Sequence, residues 1–358
     1  MKVLDKFLPL WIFVSVAFGL MLGGFFPQIV DFYALLEYKD INLAIALGLI
    51  IMLYPPLAKA NYAHIFQVFK HKKVLFVSLG LNFLLGPVLM FVLAFLAYVF
   101  VPHFTLGLMQ GVILIGLARC IAMVLVWIDL ALGDRELALS LVAFNSLFQI
   151  LFFGVMAYIF MMILPSFLGI NLQGYTISFA LVAKNVAIYL GIPFILGFFT
   201  RFFLIKYKGL RFYEEIFIAK ISPLTLIFLL YIIIVMFSYK GEALLNLPFD
   251  ALIVALPLVA YFVLMFFISF YLSKGFGYEK SCAISFSACG NNFELSLAIA
   301  IASFGINSPQ AFVSIVGVLV EVPVMLFLVD VMKKLNKNKF IVKHKYAKEC
   351  YAGYYRFT

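Results

Sequence analysis

Chemically capable residues stand at few places inside long apolar runs: Arg119 and Cys120 in GLARCIAMVLV (116–126), Asn291, Asn292 and Glu294 in GNNFELSLAIA (290–300), and Glu321 in LVEVPVM (319–325). A carboxylate in the middle of a membrane costs several kcal/mol unless it is protonated, paired or hydrated. Glu294 therefore suits a group that takes up and releases a proton, and a structural ion pair with Arg119 or Lys184 is the alternative. A cysteine in a membrane helix is usually a small apolar filler. Beside Arg119, with helix-end amides near, Cys120 gains thiolate character, the form that binds soft, thiophilic species. Glu321 is a second polar centre or a helix-packing carboxylic acid, and Pro323 frees a carbonyl beside it. Asn145 and Gln149, four residues apart on one helix face, line a path or join helices by hydrogen bonds.

The elements that position these residues must be membrane helices. Of 358 residues, 66% are hydrophobic and 12% charged, so polar surface is too scarce to cover a soluble core. Ten stretches are close to the roughly 20 residues that cross a bilayer as a helix: 7–30, 41–58, 74–100, 106–128, 136–164, 178–205, 216–236, 249–272, 281–303 and 311–332. With both termini in the cytoplasm, 22 of the 26 Lys and Arg fall inside, two outside (Lys39 and Lys240) and two within spans (Arg119 and Lys184). The net charge of +10 is then topology rather than a nucleic-acid footprint, and the basic tail (333–358) rests on anionic lipid. No zinc-protease, Walker or nucleophile-elbow motif occurs, and all four histidines lie outside the spans, so a cofactor, an ATP-driven pump and a membrane enzyme with a wet catalytic cluster are all disfavoured. No cysteine falls in an outer loop, which argues against a disulfide framework.

Ten spans divide into two five-span repeats, 1–177 and 178–332, and an odd number per half inverts the second. GLMLGGFF (19–26) resembles PFILGFFT (193–200), placing Gly23 on Gly197, 174 residues apart; the same offset places Gly116 on Gly290 and Cys120 on Glu294. Glycine followed by polar residues in mid-span is where a helix can unwind and restart, and the restarting half points its amide end at the midplane. Spans four and nine are therefore expected to be broken, their breaks facing each other across a pseudo-two-fold axis.

The run from GLARCIAMVLV (116–126) on to residue 152 resembles the signature of arsenite efflux permeases, the arsenical-resistance branch of the bile acid/arsenite/riboflavin transporter superfamily. NNFELSLAIAIASFG (291–305), followed by VGVLVEVPVMLFLV (316–329), resembles that family's second signature, and the likeness extends over the whole chain. It implies an all-α polytopic fold of ten helices in two inverted repeats, a panel and a core domain, and crossed broken helices four and nine. It also implies export of trivalent arsenic, arsenite and in some members antimonite, by proton antiport across the cell (inner) membrane, with Cys120 and Glu294 in the essential positions. Cys120 would then be the As(III) ligand, Asn291 and Asn292 would join it in substrate binding, Glu321 would assist proton coupling, and Arg119, Asn145 and Gln149 would support them. Ile128 stands where many relatives have asparagine, and Cys289 also looks unusual; it adds a second thiol or fills space. The rival on the same fold is a sodium-coupled organic anion symporter of the bile-acid kind, with Asn291, Asn292, Glu294 and freed carbonyls around Na⁺. Such a protein would not need Cys120.

Overall fold

The structure is a computed structural model that describes residues 8–26, 28–38, 41–59, 72–121, 123–172, 174, 178–238 and 247–354, with side chains as far as 336. Its main helices are α1 (Leu8–Phe25), α2 (Leu43–Lys59), α3 (Lys72–Phe100), α4 (Leu106–Leu117), α5 (Met123–Leu130) and α6 (Arg135–Phe167). They continue with α7 (Phe179–Lys208), α8 (Phe212–Ser238), α9 (Leu247–Ser273), α10 (Tyr278–Cys289), α11 (Phe293–Phe304) and α12 (Pro309–Tyr354). A two-residue strand pair, Glu37–Tyr38 with Ile41–Asn42, precedes α2.

Among the described residues, six helices are long and apolar enough to cross a membrane: α3, α6, α7, α8, the Phe249–Phe276 stretch that contains most of α9, and the Pro309–Asn336 part of α12. The apolar helices α1, α2, α4 and α11 are shorter. The expected fourth and ninth spans each contain two helices, separated by non-helical chain at 118–121 and at 290–292. The backbone of α12 stays helical into the basic tail, as far as Tyr354; between Pro323 and Gly353 it meets neither proline nor glycine. Lys2, Lys6, Lys39, Lys70, Lys240 and Arg356 of the charge count lie outside the described residues.

Proline shapes several spans. Gly86, Leu164 and Ile192 each precede a proline and donate to the carbonyl five residues back, on Leu81, Ile159 and Ala187. Pro87, Pro165 and Pro193 have no N–H and press on the preceding turn, and a widened π turn relieves that clash.

Polarity is arranged inside out. Phe13 and Phe18 of α1, Leu84 and Leu96 of α3, Phe198 and Phe202 of α7, and Leu256 of α9 are exposed, as lipid-facing side chains are. All twelve residues of α4 are buried, and Gln110, Arg119, Asn145, Gln149, Asn291, Asn292 and Glu321 lie in the interior. Helices α1, α2, α7 and α8 pack on one another; α4 packs on α3 and α12, α10 on α9, and α11 on α12, and the two groups meet where α11 touches α2 and α7 and where α12 touches α1. Glycine permits the tightest of these contacts. A Cβ at Gly23 would lie 2.1 Å from the Ser238 carbonyl oxygen at the end of α8, and one at Gly197 would lie 2.8 Å from the Ala58 nitrogen at the end of α2.

Candidate functional site

The two breaks touch. Ala118 and Gly290 leave their helices in extended conformation, and Arg119 pairs with Asn291 as a short antiparallel bridge. The Cys120 N–H donates to the Gly290 carbonyl at 3.2 Å, and the Asn292 N–H donates to the Ala118 carbonyl at 2.9 Å. Backbone groups freed by the unwinding thus satisfy each other where water is scarce. The helices then restart under side-chain caps: the Cys120 Sγ accepts from the Val124 N–H at 3.3 Å, and the Asn292 Oδ1 accepts from the Leu295 N–H at 3.0 Å.

One spacing relates all of these features. Helices α4 and α10 have twelve residues each, and both their starts (278 − 106) and their ends (289 − 117) are 172 residues apart. The bridge partners Arg119 and Asn291 are also 172 apart, as are the two capping residues, Cys120 and Asn292. The structural counterpart of Cys120 is therefore Asn292, whereas the 174-residue sequence offset had pointed to Glu294. The two-residue discrepancy comes from Gly116. This residue lies inside α4, where a Cβ would sit 2.4 Å from Met90, so it serves packing, whereas Gly290 stands at the break itself.

Gln149 and Glu321 are 172 apart as well, and each meets the backbone of a bridge residue. Gln149 accepts from the Arg119 N–H at 2.8 Å and donates to the Arg119 carbonyl at 3.1 Å. The Glu321 carboxyl interacts with the Asn291 N–H. Asn145 accepts from Asn82 at 3.1 Å and donates to Ser287 at 3.3 Å, tying α3, α6 and α10 together. Asn145 and Gln149 thus join helices rather than line the cavity between the breaks.

That cavity has a volume of about 20 Å³ and is walled by Cys120, Asn291, Asn292, Glu294 and Glu321, with Pro56, Met123 and Val318 among its apolar neighbours. It has room for about one water molecule. Glu294, Pro56 and Met123 also wall a second cavity of about 160 Å³, which reaches Lys59, Ser222 and Thr225. A third, of about 620 Å³, lies toward the opposite ends of the helices and is lined by uncharged polar residues including Asn42, Asn185, Asn307 and Gln310.

Arg119 is wholly buried, and its Nη1 donates to the Tyr261 hydroxyl and to the Ala288 carbonyl, both at 2.9 Å. The ion pairs among the described residues are Arg135–Asp129, Arg201–Glu214 and Arg211–Glu215, so Arg119 salt-bridges neither Glu294 nor Asp129. Lys184 is exposed. The Cys289 thiol lies 3.8 Å from the Met325 sulfur and 3.8 Å from the Phe286 carbonyl, and neither Cys289 nor Ile128 lines the small cavity. Tyr261, Asn82 and Ser287 escaped the sequence reading. Each is one polar group in an apolar or small-residue run, a pattern shared by many packing positions.

Bilayer-length apolar helices, two mutually bonded breaks and a polar pocket between them define a multi-pass membrane protein of the transporter class. A family model described as the sodium bile acid symporter family matches residues 46–247. Arsenical-resistance protein Acr3 of Corynebacterium glutamicum is 45% identical over 339 residues, 94% of this chain and 90% of that protein. Its namesake in Alkaliphilus metalliredigens is 29% identical, covering 92% of each chain. An uncharacterized transporter of Synechocystis, slr0944, is 30% identical over 93% of this chain and 89% of its own length. The chain belongs to the sodium bile acid symporter family and, within it, to the arsenical-resistance permeases.

Proposed function

We propose that the protein is a secondary transporter that exports trivalent arsenic, and antimonite with it, from the cytoplasm in exchange for protons. The observation that carries this reading is the meeting of Cys120, Asn291, Asn292, Glu294 and Glu321 around one cavity between the two breaks. The relatives named for arsenical resistance support the cargo. The 172-residue spacing supports ten spans in two inverted five-helix repeats with crossed breaks, with the site on their pseudo-two-fold axis. Both termini are taken as cytoplasmic, in the cell (inner) membrane, because that orientation leaves the basic loops inside.

Arsenous acid is largely uncharged at neutral pH, so the membrane potential alone does not expel it, and a proton gradient can. The Cys120 thiol displaces one hydroxyl of As(OH)₃, forming one As–S bond and releasing one water; water reverses the step on the other side. A single sulfur ligand keeps the exchange reversible, where several would hold arsenic too tightly. Asn291 and Asn292 offer amide groups to the remaining hydroxyls. Glu294 borders both the small cavity and the larger one beside Lys59, so it stands between the site and the compartment that supplies cargo. Cargo loads with Glu294 ionised, and an outer proton on Glu294 accompanies release and return. The pocket is smaller than arsenous acid, so loading requires the breaks to part from α2, whose Pro56 walls it.

Arsenite uptake into everted membrane vesicles, energised by an inward-acid proton gradient, tests this. Wild type is expected to accumulate arsenite, and Cys120→Ser and Glu294→Gln are each expected to reduce uptake to background. Uptake unchanged by Cys120→Ser would remove the arsenic–sulfur step. Sodium-driven uptake of an organic anion, with no arsenite movement, would assign the protein to the symporter reading that the family's description suggests.

A further inference from the structure

Arg119 presents an electrostatic problem that the proposed transport cycle does not use. A guanidinium with no exposed surface has no carboxylate ion-pair partner among the described residues. Among the described residues only Nη1 of its side chain finds hydrogen-bond partners; Nε and Nη2 are buried and find none. A strut selected for hydrogen bonding would use its fork, so the value of Arg119 lies in its charge. What faces that charge is oxygen. The Ala288 carbonyl belongs to the last turn of α10, where the helix dipole presents its negative end, and the Tyr261 hydroxyl joins it while itself donating to Ala288 at 3.3 Å. Carbonyl and hydroxyl oxygens at the end of a broken helix are the donor set that a hard monovalent cation takes in ion-coupled carriers. Space has been made for the guanidinium: a Cβ on Gly86 would lie 3.0 Å from Nη1.

We infer that the Arg119 guanidinium is a built-in cation at the crossing, standing where a carrier of this family would bind a coupling sodium ion, and that it frees transport from sodium. The inference rests on the reading of the chain as a secondary transporter, and it concerns the coupling ion rather than the cargo. A bound ion must arrive and leave in each cycle; a covalently held one neutralises the end of α10 in every state and adds nothing to the ion stoichiometry. Arg119 is thereby a positioning residue that holds the break between α10 and α11 closed.

The test uses full-length purified protein, with thermal unfolding in detergent and arsenite transport in proteoliposomes, each in sodium chloride and in N-methylglucamine chloride at equal ionic strength. Wild type is expected to melt at the same temperature and transport at the same rate in both salts. Arg119→Ala is expected to melt lower and to lose transport in N-methylglucamine, and to recover melting temperature and rate when sodium or millimolar guanidinium is added. Arg119→Lys keeps the charge and is expected to fold and to transport without sodium. A wild type stabilised by sodium would overturn the proposal, as would an Arg119→Ala protein that transports equally in both salts. So would joint failure of the Ala and Lys variants to fold with guanidinium present, since a preserved charge would then not suffice. The unfolding arm needs no arsenic, so loss of the arsenite signal in wild type with the salt pattern intact would defeat the proposed cargo alone.

Discussion

Gln149 and Glu321 occupy matching places on either side of the bridge, yet one is an amide and the other an acid. Gln149 both accepts from and donates to the backbone of Arg119. An ionised Glu321 offers acceptors only, so just its acid form can reproduce that pairing with Asn291. Among the described residues, its buried Oε1 has no hydrogen-bond partner. Glu321→Gln is therefore expected to leave the melting temperature of the purified protein within about a degree of wild type. Glu321→Leu, which deprives the Asn291 amide of an acceptor, is expected to lose about 1–3 kcal/mol. Transport assayed on the same samples separates structure from proton traffic. If Glu321→Gln melts normally and still stops arsenite uptake, the exchangeable proton of Glu321 belongs to the cycle; normal uptake leaves it as a packing acid.

At the scale of elements, the sequence showed where the helices break more clearly than how they are registered. Asn291 and Asn292 in an apolar run gave the second break away, because two adjacent amides are costly in a bilayer unless backbone or cargo meets them. Arg119 and Cys120 marked the first in the same way. The register slipped because Gly116 and Gly290 look alike as letters, although one admits Met90 and the other turns the chain. Arg119's contact with Tyr261 was not legible either, since it joins residues 142 apart in sequence. Gly23 and Gly197, which the runs around them align, are both points of close helix approach. Gly23→Ala and Gly197→Ala are each expected to destabilise by about 1–3 kcal/mol, because in both cases the new methyl meets backbone that cannot step aside. Gly24→Ala is the control: nothing lies within 4 Å of its Cβ, and helix propensity predicts a gain of up to about 1 kcal/mol. Parallel melting curves of the three variants decide it, and equal losses at all three would discount the close-approach argument.

For the whole molecule, orientation and driving force make the strongest demands. A reporter fused after Thr358 is expected to read cytoplasmic, as is one inserted after Gly209, in the positively charged turn between α7 and α8; a split result would break the even span count. In everted vesicles, collapsing the pH gradient with a protonophore should stop arsenite accumulation, whereas sodium ionophores should not alter it. The bridge between the breaks also has a consequence in time. Each of its two hydrogen bonds spans both halves of the chain, so loosening one break bares donors and acceptors of the other where water is scarce. Local fraying at a single break is thereby suppressed, and the crossing travels as one body. By hydrogen–deuterium exchange, the amides of Cys120 and Asn292 should then be among the slowest in the protein, and they should lose protection together, at one shared rate, whichever half of the molecule is perturbed.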